Sequence, residues 1–284
     1  MLPQCRDNLA PMTRTKLVTT CATTLFVALS LVACDQGSGS SFARKSTTTS
    51  SQQSPVDDGT SSNGEENELP DDADTGDAGD ATGQPAPALS AVDINAARTA
   101  LGSLPTRGFS PNVPKYDRNE FGKPWSDDVT VDGGHNGCDT RNDILARDLT
   151  DVEFKPAKRN CIVTKGKLND PYTNTTIEFK RGRKSSDLIP IDHVVALGDA
   201  WYSGAYQWDA DRRRNFANDP INLQATNRES NTQKSAKNAA EWLPPNTAYQ
   251  CEYVGRQITI KSTYGLSVTP AEKNAMEKVL ATCS

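Results

Sequence analysis

Hydrophobic positions are spread unevenly along the chain, and they separate a polar N-terminal third from a patterned remainder. From about residue 95 to the C-terminus, apolar residues recur at helical spacing or in short runs rich in β-branched side chains. This mixture predicts one domain of the α+β class. Helices are expected at 88–104, at 142–149 and within 196–219, and strands are expected at 161–165 and 175–180.

One short apolar run is interrupted by two ionisable residues. The stretch PIDHVVAL, Pro190–Leu197, contains Asp192 directly before His193. It is expected to close a hairpin that runs from Ile177 to His193. A second short apolar run, INLQA, follows at 221–225.

The helix predicted after INLQA has an unusual polar face. Thr226 and Glu229 form a capping-box pattern, so the helix should begin near Asn227 and end before Pro244. At helical spacing this segment carries amide and ammonium groups where packing would favour leucine, namely Asn227, Asn231, Lys234 and Asn238.

Two further helices are expected near the C-terminus. The segment before Gly265 fits either a strand or a helix, and its length and the glycine favour a helix. Thr269 has the features of an N-cap, with Pro270 in the first helical position and Glu272 in the third.

The N-terminal part of the chain indicates export. Arg14 and Lys16 precede an uncharged apolar run that ends at Cys34, which is typical of a signal peptide rather than of a stable membrane span. The end of the run, LVAC, resembles the lipobox of bacterial lipoproteins. Residues 1–33 are therefore predicted to be a lipoprotein signal peptide, with Cys34 as the lipidated residue. Ordinary secretory cleavage near Ala33, with Cys34 unmodified, is the alternative.

Charge distinguishes a tether from the folded domain. Residues 34–94 are rich in Ser, Thr, Gly, Asp and Pro, so they cannot bury enough apolar surface to fold and are predicted to be a disordered tether. The net charge of −5 divides into +2 for residues 1–34, −10 for 35–94 and +3 for 95–284. The small positive excess of the domain at 95–284 argues against a dedicated high-affinity polyanion binder and fits an enzyme that contacts its polymer briefly.

Four of the seven cysteines lie in the predicted exported domain, where an oxidising environment favours disulfides. They allow three pairings, and short loops favour Cys138 with Cys161 and Cys251 with Cys283. A zinc site is the alternative, but no C-x-x-C pair occurs in the sequence.

The segment from Asp192 to Asn231 has the layout of a metal-assisted phosphodiesterase. Phosphodiester hydrolysis needs a base that deprotonates water and a divalent cation at the phosphate. His193 is the candidate base, and Asp192 and Asn231 supply the hard oxygen ligands that Mg²⁺ (or Mn²⁺) prefers. Asn222 is the candidate that orients His193, through its carbonyl or its side chain. The oxygens of Asp192 and Asn231 should therefore converge beside the His193 ring.

These residues also carry a specific resemblance. PIDHVVAL, NDPINLQATN and RESNTQKS, in this order, are similar to the HNH nuclease motif of the ββα-metal fold. Residues 95–284 further resemble secreted bacterial HNH endonuclease-like proteins through YDRNEFGKPW, CDTRNDILARDL, DPYTNTTIEF, DHVVALGDAW and AEWLPP.

The resemblance implies an HNH ββα-metal nuclease core with additional helices and two disulfides. It makes Asp192 a metal ligand, His193 the general base, Asn222 the middle Asn and Asn231 the last motif position. The commonest HNH pattern ends in His, and the Asn variant found here favours magnesium over a softer metal. The paired C-x-x-C motifs of the zinc-stabilised branch of the family are absent from the sequence.

Basic side chains offer contacts to phosphate. Lys234 is a candidate to hold a phosphate or transition-state charge, and Arg118 and Arg141 are candidates to clamp phosphate, with salt bridges to nearby aspartates as the alternative. A basic cluster ahead of the Asp-His pair suits contacts to a nucleic-acid backbone or forms a solvated turn, and it comprises Lys180, Arg181, Arg183 and Lys184.

Together these features predict an exported, lipid-anchored, monomeric endonuclease that faces outward, acts on DNA in preference to RNA and implies no protein partner. One alternative is a non-catalytic envelope binding lipoprotein on the same scaffold. Another is a hydrolase for a different phosphodiester or for a cell-wall polymer.

Overall fold

The computed structural model describes residues 91–156, 160–182 and 186–284. The predicted signal peptide, Cys34 and the predicted tether up to residue 90 lie outside these residues. The described helices are α1 (Ile94–Ser103), α2 (Thr140–Asp148), α3 (Leu197–Tyr202), α4 (Ala210–Asn218), α5 (Arg228–Lys234), α6 (Gln250–Tyr264) and α7 (Pro270–Leu280). The described strands are β1 (Leu149–Phe154), β2 (Val163–Asp170), β3 (Thr175–Lys180), β4 (Ile191–His193) and β5 (Leu223–Ala225). No helix in this part of the chain is long and apolar enough to cross a membrane.

Strands β1, β2 and β3 form an antiparallel sheet in that order. Along β2 the buried positions alternate with exposed ones, so one face of the sheet packs inward and the other meets solvent. The predicted strand at 175–180 is confirmed as β3, the strand predicted at 161–165 overlaps β2 only from Val163, and β1 was not predicted. Its exposed positions are Thr150, Asp151 and Glu153, and the consecutive polar residues at the irregular pairing after Thr150 are typical of a loop.

Strands β4 and β5 form a separate antiparallel pair. Asp192 lies opposite Gln224 and His193 lies opposite Leu223. The predicted hairpin from Ile177 to His193 is therefore wrong, because β3 pairs with β2 and β4 pairs with a strand thirty residues further along the chain. Helices α3 and α4 lie between β4 and β5 along the chain, and α5 follows β5 directly.

The β4–β5 pair lies between two hydrophobic cores. On one side Ile191 and Leu223 pack with α2 and the three-stranded sheet. On the other side Val194 joins a larger core built mainly on helices, which includes Trp201 and Phe216. All six residues of the two strands are buried, so the polar side chains among them require partners inside the protein.

The ends of α6 and α7 lie where the sequence predicted them, whereas both ends of α5 differ from the prediction. Helix α6 ends at Gly265, whose φ of 67° is the left-handed C-cap conformation, and Thr269 and Glu272 form the predicted capping box of α7. The N-cap of α5 is Asn227, rather than Thr226. The helix also ends at Lys234 instead of continuing toward Pro244, because Ser235 has a φ of 48°.

The first residues of the fold lie slightly before the predicted domain boundary at residue 95. Asp93 caps α1 by accepting hydrogen bonds from the amides of Asn95 and Ala96. Val92 packs against the core and donates its amide proton to Glu252 on α6. Residues 92–94, which were assigned to the tether, therefore belong to the folded domain.

Two disulfides close the folded domain, and both predicted pairings are confirmed. Cys138 bonds to Cys161, which ties the loop before α2 to the start of β2. Cys251 bonds to Cys283, which ties α6 to the C-terminus. By the loop-entropy estimate each bridge contributes about 3 to 4 kcal/mol.

A buried ionic cluster joins three helices away from β4. Lys261 on α6 is fully buried, and its ammonium group lies 2.7 Å from Asp199 on α3 and 2.6 Å from Glu272 on α7. Arg107 lies 3.4 Å from the same Asp199. Two cations thus face two carboxylates, so the charges of the cluster balance.

Helix α2 carries a buried carboxyl group, that of Asp143, whose pKa is raised by its surroundings. Burial raises the pKa of Asp143 to about 7, and the charges of Asp139 and Asp127 act in the same direction, while a hydrogen bond from the Asn136 amide opposes them. The protonated form is therefore favoured in the folded state. Its stabilising contribution is complete below the unfolded pKa of 3.8 and is lost as the pH rises through about 7.

We predict that Asp143→Asn reduces the loss of stability that the chain shows as the pH rises from about 4 to about 7. The amide keeps an acceptor for Asn136 and has no proton to lose. Chemical denaturation at several pH values measures this, with Asp151→Asn as an exposed control. Equal pH dependence of the free energy of unfolding in the parent chain and Asp143→Asn would contradict the assignment.

Candidate active site around His193

Asn222 fixes the chain directly after the Asp-His pair. Its main-chain carbonyl accepts the amide proton of Val194 at 2.7 Å. Its side-chain oxygen accepts the amide proton of Val195 at 2.8 Å, and its side-chain nitrogen donates to the Val195 carbonyl at 3.3 Å. Asn222 is fully buried, so a single side chain closes the turn between β4 and α3. It holds the main chain of Val194 and Val195, directly after His193, and the hydrogen bonds of the His193 ring in the described residues do not include Asn222.

The ring of His193 is oriented by the end of helix α4. Its Nε2 lies 2.9 Å from the carbonyl oxygen of Ala217. A carbonyl only accepts, so Nε2 carries the proton and Nδ1 keeps the lone pair in the neutral ring. Trp125 stacks on the other side, with ring centroids 5.9 Å apart and planes 9° from parallel. The predicted orienting role of Asn222 thus belongs to Ala217 and Trp125, which the sequence did not single out.

Trp125 adopts a backbone conformation that is rare for a bulky residue. Its φ is 57°, in the left-handed region, which costs a non-glycine residue about 1–3 kcal/mol. The conformation is held in place because the Trp125 carbonyl accepts the amide proton of Thr140, and Ser126 accepts its hydroxyl proton. The start of α2 therefore anchors the segment that places the indole against His193.

The ionisation of His193 follows from its surroundings. Burial lowers the pKa of His193 to about 3, the positive charges of Arg118 and Lys234 act in the same direction, and the Ala217 carbonyl opposes them. The imidazole is therefore neutral at every physiological pH. Neutrality leaves Nδ1 able to accept a proton.

A small cavity lies beside the imidazole. Its volume is about 10 Å³, close to the space that one water molecule needs. Its walls include His193 and Trp125, and the exposed side chains of Arg118 and Lys123 flank it. The arrangement can place one water molecule next to the ring with two cations nearby. Lys123 was not predicted, although it lies in the GKPW motif quoted above.

Asp192 points away from this cavity, as expected of neighbouring residues on a strand. Its Oδ2 accepts a hydrogen bond of 2.7 Å from the hydroxyl of Tyr172. Its Oδ1 lies 2.9 Å from the ammonium nitrogen of Lys234, which also donates to the carbonyl of His193 at 2.7 Å. Lys234 is fully buried and Asp192 is 5% exposed. In this arrangement the Lys234 ammonium group contacts strand β4 rather than a phosphate at the surface.

The predicted metal ligands do not form a site that fits a divalent cation. Both oxygens of Asp192 are engaged, and one of them pairs with an ammonium group whose charge repels a dication. Asn231 is half-buried on α5, one turn before Lys234. Among the described residues, no group of three or more His, Cys, Asp and Glu side chains is arranged to hold a metal ion.

The predicted phosphate-binding residues separate into different environments. Arg118 lies at the cavity of His193, as described. Arg141 donates to the carbonyl of Ile189, and Arg181 donates to the carbonyl of Val163 and the side chain of Asn142. Lys180 is exposed at the end of β3, and Arg183 and Lys184 lie outside the described residues.

Two buried arginines donate hydrogen bonds to main-chain carbonyls around β5, a role that was not predicted from the sequence. Arg147 donates to the carbonyls of Pro220 and Leu223. Arg256 donates to the carbonyls of Ile221 and Leu223 and to the side chain of Gln224. The segment that carries Asn222 therefore has its main-chain carbonyls fixed by two guanidinium groups.

Comparison with known proteins shows which proteins this chain is related to. Residues 139–279 match the family model for the C-terminal domain of GmrSD restriction endonucleases. A protein of Arthroderma benhamiae named "Uncharacterized secreted protein" is 37% identical over 203 residues, which cover 70% of this chain and 92% of that protein. The chain belongs to the family of this secreted protein. No solved structure matches the chain.

The matched segment relates the chain to nucleases and contains most of the site. His193, Asn222 and Lys234 lie inside residues 139–279, whereas Arg118, Lys123 and Trp125 lie before them. The secreted relative and the two disulfides agree with export of the chain.

Proposed function

We propose that the chain is an exported HNH-type endonuclease that hydrolyses phosphodiester bonds of DNA, with His193 as the general base. The observation that carries the proposal is the state of His193. Its ring is neutral, it is fixed by Ala217 and Trp125, and it borders a water-sized cavity with two cationic side chains at its mouth. The relation of residues 139–279 to a restriction endonuclease domain supports the same reaction class.

The proposed reaction is the attack of water on phosphorus. Nδ1 of His193 takes a proton from the water as its oxygen bonds to phosphorus, and the bond from phosphorus to the leaving oxygen breaks. The leaving oxygen then takes a proton from solvent. Arg118 and Lys123 oppose the negative charge that develops on the phosphate oxygens. The Ala217 carbonyl accepts from Nε2 and so stabilises the imidazolium that forms.

A buried imidazole with a pKa of about 3 is a weak base in the free protein. A phosphate bound in the cavity adds negative charge beside the ring, which favours the imidazolium and raises the pKa of His193. The substrate thereby strengthens the base that acts on it. This coupling also keeps the ring neutral until substrate arrives.

The resemblance implies a requirement for Mg²⁺ or Mn²⁺, and this stays a prediction. No step above is assigned to a metal, because both oxygens of Asp192 are engaged and one of them pairs with the Lys234 ammonium group. Lipidation of Cys34, outward-facing attachment to a membrane, a monomeric state and a preference for DNA over RNA are likewise part of the proposal.

The central test is plasmid nicking by the purified chain. We predict that His193→Ala lowers the rate of nicking by about 100-fold or more, because removal of a general base typically costs 10² to 10⁴ in rate. The matched control is His135→Ala, which removes the other histidine, a residue with an exposed side chain, and should leave the rate unchanged.

Two additional arms complete that experiment. Loss of nicking in EDTA would confirm the metal requirement, and an RNA substrate of equal length tests the preference for DNA. Equal rates for the parent chain and His193→Ala would rule out His193 as the base. Absence of nicking by the parent chain on both substrates would favour a binding lipoprotein.

The stacked indole gives a further prediction. Trp125→Ala should lower kcat by about tenfold or more, since the ring of His193 loses the surface that fixes its angle. Trp125→Phe keeps an aromatic face and should stay within about threefold of the parent chain. The measurement is kcat and KM at a temperature where all three proteins are folded. Equal kcat for Ala and Phe would show that stacking is irrelevant to the reaction.

A further inference from the structure

The face of β4 opposite the imidazole holds a closed polar cluster of three side chains. Lys234, Asp192 and Tyr172 are all buried, and Lys234 and Tyr172 have no measurable exposure. Lys234 is the last residue of α5 and reaches back forty-two positions to Asp192. The cluster therefore joins the end of α5 to strand β4 and, through Tyr172, to the turn between β2 and β3.

The hydrogen-bonding capacity of this cluster is largely used internally. Burial and the charge of Asp192 raise the pKa of Tyr172 well above 10.0, so its hydroxyl stays protonated and donates to Oδ2. The Lys234 ammonium group donates to Oδ1 of the same carboxylate. One cation and one anion cancel, and each carboxylate oxygen has a donor.

The Lys234 ammonium group also contacts the main chain of His193, the proposed base. It donates to the carbonyl of His193 at 2.7 Å. The next two residues are fixed by Asn222, and the ring is fixed by Ala217. Lys234 thus holds the carbonyl of His193 itself.

We propose that Lys234 occupies the position beside Asp192 that the HNH resemblance gives to a divalent cation, and that both residues position His193 rather than bind metal. The inference rests on the proposed function, since it assigns a role within the same site. Asp192 neutralises the buried ammonium group, and Lys234 holds the His193 carbonyl. Neither side chain contacts the substrate.

The first test measures the binding of Mn²⁺ to the free protein through the electron paramagnetic resonance signal of the ion. The parent chain and Asp192→Asn should have the same Mn²⁺ affinity, within about threefold. A decrease of about tenfold or more in Asp192→Asn would overturn the proposal, because even the loss of a group that supports a metal ligand typically costs about 10- to 100-fold in affinity. Tyr172→Phe is the matched control, since it removes a contact to the same carboxylate without removing a ligand.

Single variants leave one buried charge without its partner, and such chains can fail to fold. The charge-neutral double variant Asp192→Asn with Lys234→Met avoids this and is tested in parallel. Its Mn²⁺ affinity should equal that of the parent chain. Loss of binding in the double variant would also overturn the proposal.

The second test separates positioning from general structural support. At a temperature where the double variant is folded, kcat should fall by about tenfold or more, whereas KM stays within about threefold, because the phosphate contacts at the cavity are untouched. The concentration of Mg²⁺ or Mn²⁺ that gives half-maximal rate should not change. A tenfold increase in that concentration would show that Asp192 is a metal ligand.

These outcomes are distinct from failure of the proposed function. If the parent chain cleaves no nucleic acid, the endonuclease proposal fails, and the Mn²⁺ comparison still decides whether Asp192 binds metal. If the chain cleaves DNA and Asp192→Asn loses Mn²⁺, the function stands and the positioning role of Lys234 is wrong.

Discussion

The structure around β4 depends on the need to satisfy buried polar groups where two short strands meet. Strands β4 and β5 have three residues each, and all six are buried. Such a pair has few ladder hydrogen bonds of its own, so side chains supply the rest. Asn222 closes the turn after His193, and Arg147 and Arg256 take the carbonyls of the opposite segment. These hydrogen bonds hold the two strands in place, and the strands in turn fix the position of His193.

The alternation of side chains along a strand then divides the Asp-His pair into two roles. His193 faces the cavity with Trp125, and Asp192 faces Tyr172 and Lys234 on the other side. A carboxylate on the far face reaches the imidazole only through the main chain that both share. The neutral ring and the closed ionic cluster are therefore two consequences of one strand geometry.

The elements that the sequence predicted well are those with local signals. Gly265 and the Thr269 capping box determine the ends of α6 and α7 through contacts within a few residues. The pairing of β4 with β5 was not predicted, since it joins segments about thirty residues apart and a three-residue run gives no periodicity. The partners of His193 and Asp192 were missed for the same reason. Ala217, Trp125 and Tyr172 are brought to β4 by tertiary packing, although Trp125 and Tyr172 lie in motifs that had been noted.

The most direct test of this account is the protonation state of the His193 ring, read from its ¹⁵N chemical shifts in the labelled chain. The only other histidine is His135, and His193→Gln identifies the signals. We predict a neutral ring with the proton on Nε2 from about pH 4.5 to 8, because burial places the pKa near 3. Titration near the ordinary value of 6.5, or a proton on Nδ1, would contradict the account.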